Sequence, residues 1–377
     1  MNITIVQGAF KPVPPVTGGS VEKLWFDLGR EFARRGLAVT HISRVFPGLP
    51  ARDDSEGVAH RRIGGFDHPR SPWLAKAMDL IYSVRCWRAL KPADIVITNT
   101  FFLPLLLSWF RWPAVIYVSV HRYPQGQMKL YHRVDRLQCV STAVGDAVRE
   151  QAPAVSRLVK VIPNYVPALL TEEQVARDWG QRRREVLFVG RVHPEKGVDL
   201  LMRAFAAIPA DARAGWTLRV IGPHDLPAGG YGAPFLASLK QTALDLDLAV
   251  DWVGPIFDRD ALNQAYRRAR VFVYPSIAAK GEAFPLAPLE AMAQGCPVVT
   301  SDLVCFNDFI RPGINADTFP LGRSDVPAGL AEVIEALMRD EAKQRAFSSA
   351  GLRTVQNFTL HRIADAFIDD FAALRTA

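Results

Sequence analysis

The chain has 377 residues, 49% of them hydrophobic and 22% charged, which is ordinary globular composition with length enough for two cores. Its four cysteines, Cys86, Cys139, Cys296 and Cys305, have no metal-like spacing and argue against a disulfide framework, while the most apolar window, Phe101 to Trp112, contains Pro104 and is too short to span a bilayer. The net charge of +7 is uneven: residues 1–165 hold 22 Lys and Arg against 12 Asp and Glu, residues 166–377 hold 23 against 26, and a basic half of this kind suits nucleic acid, anionic lipid or an acidic ligand.

The cysteine usage makes a reducing cytoplasm the expected setting, and in chain order Ile3 to Val6 reads as a strand without a basic leader before it, so no signal peptide is expected. A loop rich in Pro and Gly follows, in which Gly18-Gly19 lets backbone come close to a ligand. Ser20 is placed to cap a helix running to about Arg35, and Leu37 to Ile42 is a second strand. Ile63 is expected in a strand. Pro72 to Leu90 is predicted as an amphipathic helix with Trp73, Ala77, Leu80, Ile81, Val84 and Trp87 toward the core. Strands are expected at Asp94 to Thr98, at Ala114 to Val120, ending on His121, at Leu137 to Val140 and at Val159 to Ile162. Between them lie an apolar helical segment, Phe101 to Phe110, and a helix from about Ala143. This alternation argues for a parallel sheet covered on both faces.

Residues 167–184 are polar and read as a linker plus a solvated helix, after which the pattern restarts. Glu185 to Val189 is a strand, Gly190 to Gly197 a loop and Val198 to Ala207 a helix. Strands at Thr217 to Ile221, Trp252-Val253 and Val271 to Tyr274, with a helix at Asp260 to Ala269, make a second α/β unit of similar size. The tail from about Leu360 is a last helix with Ile363, Phe367, Ile368 and Phe371 on its apolar face.

The second unit delivers the run KGEAFPLAPLEAMAQGCPVV, Lys280 to Val299. Pro288 suits the first turn of a helix, Gly295 its end, and Pro297 forbids continuation before a buried strand at Val298-Val299. Glu282 then lies in the loop and Glu290 in the first turn. Helix N-termini bind phosphate, which two carboxylates would repel; the pair makes sense on hydroxyl groups of the same ligand, such as a ribose diol or a sugar ring. Open α/β sheets bind ligands at the carboxyl ends of their strands. Arg191 and Lys196 flank the short loop GRVHPEKG directly after a strand, where two cations five apart can grip a diphosphate. His121 ends a strand of the first unit.

Taken together, these residues resemble the family 4 glycosyltransferases of the GT-B fold over nearly the whole chain. The resemblance is carried by Gly18-Gly19 after the first strand, His121 in SVH, Ser141 in CVS and VIPN at Val161 to Asn164. In the second half it is carried by GRVHPEKG at Gly190 to Gly197, VYPS at Val273 to Ser276, and the Glu282 to Glu290 pair followed by AMAQGCPVV. It implies an α/β GT-B architecture of two Rossmann-like domains facing each other across a cleft. An acceptor-binding domain would occupy residues 1–164 and a nucleotide-sugar-binding domain residues 165–357, with the C-terminal helix, residues 358–377, packed back on the first.

The activity implied is retaining transfer of a sugar from a UDP- or GDP-sugar to a glycan, lipid-linked glycan or glycolipid, in cell-surface polysaccharide or glycolipid biosynthesis. No cofactor and no bound metal are expected. By position, Gly190, Arg191 and Lys196 would hold the donor diphosphate and Glu290 the ribose. Glu282 and the backbone at Phe284, Pro285, Leu286 and Ala287 would contact the donor sugar, and the backbone around Pro255, Ile256 and Phe257 the base. Gly18 and Gly19 would approach phosphate or acceptor, and His121 would lie near the reacting sugar. The expected catalytic set is thus Glu282, His121, Arg191 and Lys196.

Two departures stand out. Pro285 occupies a position where the family usually has Gly, and proline has no N–H to offer. The run CFNDFIRPGINADTF, Cys305 to Phe319, replaces a stretch that is commonly glycine-rich and acidic. Rival readings are a GT-B-fold sugar-nucleotide epimerase or phosphorylase and, from another class, an anionic-surface or nucleic-acid binding protein, although no nucleic-acid module is recognisable. The basic half, with Trp73, Trp87, Trp109 and Trp112, also suits peripheral contact with an anionic membrane, at the inner face of the cytoplasmic membrane.

Overall fold

The computed structural model describes residues 1–376; Ala377, the end of the expected C-terminal helix, lies outside the described residues. The chain forms two compact units, Met1–Tyr165 with the C-terminal helix, and Val166–Thr359. These limits lie one and two residues beyond the expected 164/165 and 357/358. Val166 and Thr359 pair in a β-bridge, and Val166 N donates to the Phe358 carbonyl at 2.7 Å, so these residues are tied into the second unit.

The first unit contains β1 (Asn2–Val6), α1 (Ser20–Arg34), β2 (Ala38–Arg44), β3 (Arg52–Ser55), β4 (Val58–Ile63) and α2 (Pro72–Ala89). It continues with β5 (Ile95–Thr98), α3 (Leu103–Trp109), β6 (Val115–Val120), β7 (Arg136–Cys139), α4 (Thr142–Gln151) and β8 (Val159–Val161). The sheet order is β3-β4-β2-β1-β5-β6-β7-β8, parallel except for the β3–β4 pair. Strand order reverses between β1 and β5, the position at which ligands of open sheets bind. The antiparallel β3 is an edge strand that alternation alone did not reveal, because its sequence, RDDS, is polar throughout. The C-terminal helix, Leu360–Thr376, buries Ile363, Phe367 and Phe371 against Trp25, Leu28 and Phe32 of α1 and Tyr117 of β6. Ile368, expected on the same apolar face, is only partly buried.

Two expectations for the first unit are corrected. Ser20 does not cap α1: the cap position is Gly19, and no side chain caps the helix. Most of the face assigned to α2 points the other way, with only Val84 and Trp87 half-buried. Trp73 is 81% exposed, and Leu80 and Ile81 are also exposed, whereas Asp79, Tyr82, Ser83 and Cys86 are buried. The cause is Asp79, whose carboxylate accepts from the N–H groups of Phe101 and Phe102, both at 3.0 Å, where α3 begins. Those amides have no partner within their own helix, and satisfying them inside the protein turns the polar stripe of α2 inward.

The second unit runs α5 (Glu172–Asp178), β9 (Arg183–Val189), α6 (Val198–Ala207), α7 (Ala210–Arg213), β10 (Thr217–Ile221), α8 (Ala233–Asp245) and β11 (Val250–Gly254). It continues with α9 (Arg259–Arg268), β12 (Ala269–Tyr274), α10 (Leu286–Ala293), β13 (Val298–Ser301), β14 (Asp317–Phe319), α11 (Val326–Arg339) and α12 (Glu341–Val355). All six strands are parallel, in the order β11-β10-β9-β12-β13-β14, with the reversal between β9 and β12. Near-continuous apolar runs such as VLFV at Val186 to Val189 are what a sheet buried on both faces requires. The run Cys305 to Phe319 is packing. Phe306, Phe309 and Ile310 are buried, with Phe309 5.6 Å from Phe284 and 6.3 Å from Phe358 between ring centres. Asn315 closes the segment by donating to the Phe309 carbonyl and to Thr354 Oγ1, both at 2.8 Å.

Candidate functional site

The site in the second unit forms where β9 and β12 end. Gly190 and Arg191 leave β9, and the loop turns through Pro194–Lys196 into Gly197, at φ 72°, before α6. A Cβ on Gly197 would overlap the Pro275 carbonyl oxygen, so a glycine is required for this loop to press against the end of β12. Lys196 is thereby buried, 5% exposed, and forms an ion pair with Glu282, itself 5% exposed. Glu282 Oε1 also accepts from Tyr274 Oη at 3.0 Å and Ser276 Oγ at 2.8 Å. Burial and the neighbouring Glu282 carboxylate push the Tyr274 phenol far above its usual range, so it stays protonated as a donor.

Arg191 is partly exposed. Its guanidinium donates to the Gly229 carbonyl at 2.7 Å and to Glu195 Oε1 at 3.0 Å. Beside it is a pocket of about 150 Å³ at the ends of β9, β10 and β11, lined by Gly190, Arg191, Gly222, Pro255, Ile256 and Phe257 among others, with Phe257 89% exposed. Pro255 and Ile256, expected near a base, are therefore grouped with Gly190 and Arg191.

Glu290 sits in the second turn of α10, not the first, because the helix begins at Leu286, two residues before Pro288. Its carboxylate accepts from Tyr266 Oη at 3.1 Å. Pro285 occupies the cap position and caps nothing with its side chain. With Pro288 in the first turn as well, the N–H groups that α10 can offer at its start are those of Leu286 and Ala287. Gly295, at φ 66°, ends the helix as expected, with Cys296 N returning to the Ala291 carbonyl at 2.9 Å.

In the first unit, Gly18 and Gly19 both have positive φ, 72° and 124°. A Cβ on Gly19 would run into the Glu22 carboxylate, whose burial raises its pKa. His121, after β6, accepts at Nε2 from Trp25 Nε1 at 3.3 Å and lies 2.8 Å from Ser119 Oγ, which in turn is 2.5 Å from Gln138 Oε1. Burial, with Arg122 close by, lowers its pKa to about 3, so the ring is neutral and carries its proton on Nδ1.

Sequence reasoning gave no role to Tyr274 or Ser276 beyond membership of VYPS, and none to Glu195, Tyr266, Glu22 or Trp25. The signal for the first two was their place directly after a buried strand. The others are recognisable only from who touches whom.

The chain matches the profile described as "Glycosyl transferases group 1" over residues 183–340 and "Glycosyltransferase Family 4" over residues 17–168. It is 31% identical to a D-inositol 3-phosphate glycosyltransferase of Kineococcus radiotolerans across 89% of this chain and 80% of that one. The chain belongs to the group 1, family 4 glycosyltransferases. Two mannosyltransferases match over shorter stretches. The lipopolysaccharide core biosynthesis mannosyltransferase LpsB of Rhizobium meliloti is 30% identical, over 54% of this chain and 56% of its own. A phosphatidyl-myo-inositol mannosyltransferase of Mycobacterium leprae is 28% identical, over 67% and 63%. The chain thus spans less than two thirds of the length of these two relatives.

Among solved structures, sucrose-phosphate synthase of Thermosynechococcus elongatus superposes with a TM-score of 0.78 at 21% identity, over 99% of this chain and 98% of that one. Anabaena HepE in complex with UDP superposes with a TM-score of 0.73 at 17% identity, over 99% and 100%. At these identities the likeness concerns the fold, which is GT-B.

Proposed function

We propose that the protein is a retaining glycosyltransferase moving a sugar from a nucleotide-diphosphate sugar to a glycan or glycolipid acceptor at the cytoplasmic side of the membrane. The observation that carries the reading is the Lys196–Glu282 pair with its Tyr274 and Ser276 donors, next to a strand end that also bears Arg191. Apolar residues of the same volume would often be as stable as a buried lysine–glutamate pair, so a role in binding accounts for this pair better than stability does. On a bound donor, Lys196, Arg191 and the two amides of α10 meet the diphosphate, Glu290 the ribose hydroxyls, Glu282 the sugar hydroxyls, and the Ile256 pocket the base. By the family pattern, His121 serves the reacting sugar and the Gly18-Gly19 loop the acceptor.

The acceptor hydroxyl attacks C1 on the face from which the diphosphate departs. The C1–O bond to the β-phosphate breaks as the new C1–O bond forms, and the hydroxyl proton passes to the departing phosphate oxygen. The transition state is oxocarbenium-like, and Arg191, Lys196 and the helix amides stabilise the leaving charge, which gives a metal-independent reaction. Mannosyltransferases among the relatives support sugar transfer, and the UDP bound by HepE is in keeping with a nucleotide-diphosphate donor, without choosing its base.

The test is a thermal-shift panel of UDP, GDP, ADP and their sugars, followed by product analysis in excess EDTA. A nucleoside diphosphate raises the melting temperature by mass action, and the product keeps the donor's anomeric configuration. No shift with any nucleotide, an inverted product, or loss of activity in EDTA with rescue by Mg2+ would each overturn the corresponding part.

A further inference from the structure

Most of the face of α2 that the sequence assigns to the core is on the surface. Trp73, Leu74, Leu80 and Ile81 are exposed, and the end of α3 adds Trp109, 77% exposed, and Phe110. The two helices form one patch, since Phe110 stacks on Trp87 of α2 with ring centres 4.8 Å apart. Along α2 the apolar stripe is about 20 Å long at 1.5 Å rise per residue. Soluble proteins rarely leave a continuous stripe of this size uncovered without a partner for it.

The charge around the patch says what that partner is. Between residues 70 and 134 there are nine Lys and Arg but only two acids, Asp79 and Asp94. Asp79 is buried against the start of α3, and Asp94 pairs with Arg375 and the backbone of Asn2. The charges this stretch shows to solvent are therefore cationic, with Arg70, Lys76, Arg88 and Arg111 all exposed. Lys76 Nζ lies 5.3 Å above the Trp73 ring and 5.9 Å from that of Phe101, so its cation sits within the apolar stripe. Aromatic and aliphatic side chains interleaved with cations and free of acids match the interface of an anionic bilayer, not another protein's mixed-charge surface.

We propose that the outward face of α2, continued by the end of α3, docks this protein onto a bilayer containing anionic lipid. This rests on the glycosyltransferase reading only for its purpose. Phe101 follows β5, whose carboxyl end shares a sheet edge with the Gly18-Gly19 loop after β1 and His121 after β6, so docking there brings the bilayer to the acceptor side of the first unit.

The test is flotation of the full chain with phosphatidylcholine vesicles with and without about 30 mol% phosphatidylglycerol, at low and high salt. The wild-type protein binds the anionic vesicles, and binding falls with salt. The double variant Leu80→Glu/Ile81→Glu, folded because both positions are exposed, loses at least tenfold in vesicle affinity. Lys76→Glu and Arg111→Glu each lose about fivefold or more. Nucleotide-induced thermal shifts stay at the wild-type value in all of them. Equal vesicle binding by wild type and the double variant, or no binding by wild type, overturns the proposal. So does a wild-type dimer that the double variant abolishes, which would assign the face to a second copy. Vesicle binding without any nucleotide shift leaves the docking face standing and defeats the glycosyltransferase reading instead.

Discussion

At the scale of single residues, the site divides into exposed and buried parts with different consequences. Arg191 is partly exposed and its partners are one carbonyl and one carboxylate, so Arg191→Ala leaves the fold intact. A charge-assisted contact contributes about 1.5–3 kcal/mol, so donor affinity should drop by roughly 10- to 150-fold, read by nucleotide-sugar titration. Glu282 behaves otherwise. Glu282→Gln leaves Lys196 charged and buried beside a neutral amide, which costs about 3–5 kcal/mol of stability in addition to turnover. Tyr274→Phe removes one donor to Glu282 and should cost about 1 kcal/mol, with kcat falling more than donor affinity; equal losses in both would deny it a positioning role. The histidines set a pH limit. His41 is fully buried, stacked on His60, and burial holds its pKa near 3, with His60 adding to the effect. The unfolded chain takes up that proton near pH 6.5 and the folded chain does not, so the stability this group contributes is complete above 6.5 and is lost as pH falls toward 3. By pH 5 the loss is about 2 kcal/mol, and His41→Asn should flatten the acid limb of a melting-temperature profile.

At the scale of elements, the loop between β9 and α6 decides whether Lys196 reaches Glu282. Its closing residue, Gly197, has positive φ and touches the Pro275 carbonyl, so Gly197→Ala must shift the loop away from β12. The expected result is about 1–3 kcal/mol of destabilisation and a larger loss of donor binding than of circular-dichroism signal, because the rest of the sheet is untouched. A variant that binds donor normally would show that the loop's close approach is not needed. Pro285 belongs to this scale too. As the cap of α10 it withholds an amide and leaves only those of Leu286 and Ala287 free of helix bonding at that end.

At the scale of the molecule, the C-terminal helix belongs to the first unit although its sequence follows the second. Phe367 lies 5.1 Å from Trp25, 6.3 Å from Phe32 and 6.1 Å from Tyr117 between ring centres, and Asp370 pairs with Arg136 while accepting from Tyr117 Oη. Phe367→Ala should therefore cost about 3–5 kcal/mol, and should lower the melting of the first unit while leaving the nucleotide-induced shift in place. Loss of nucleotide binding in that variant would mean that the two units do not melt independently. No helix among the described residues is long and apolar enough to cross a membrane.

Although it passed over β3, α8, β14, α11 and α12, the sequence by itself determined the parallel α/β character, the family, the residues of the GRVHPEKG and Glu282 to Glu290 motifs and most strands up to β13. These are local: a buried strand, a glycine-closed loop and a helix stop are written within a dozen residues. Its misreadings have one cause. The inward face of α2 was misread because Asp79 is drawn in by amides twenty-two residues later, and the role of Cys305 to Phe319 was hidden because its rings pack on Phe284 and Phe358. Likewise Tyr274 and Ser276 acquire meaning only from Glu282, and Trp25 only from His121 across the sheet. Periodicity reports which side chains could share a face. Which face is buried is settled by hydrogen bonds and contacts between distant segments, and only the tertiary structure holds those.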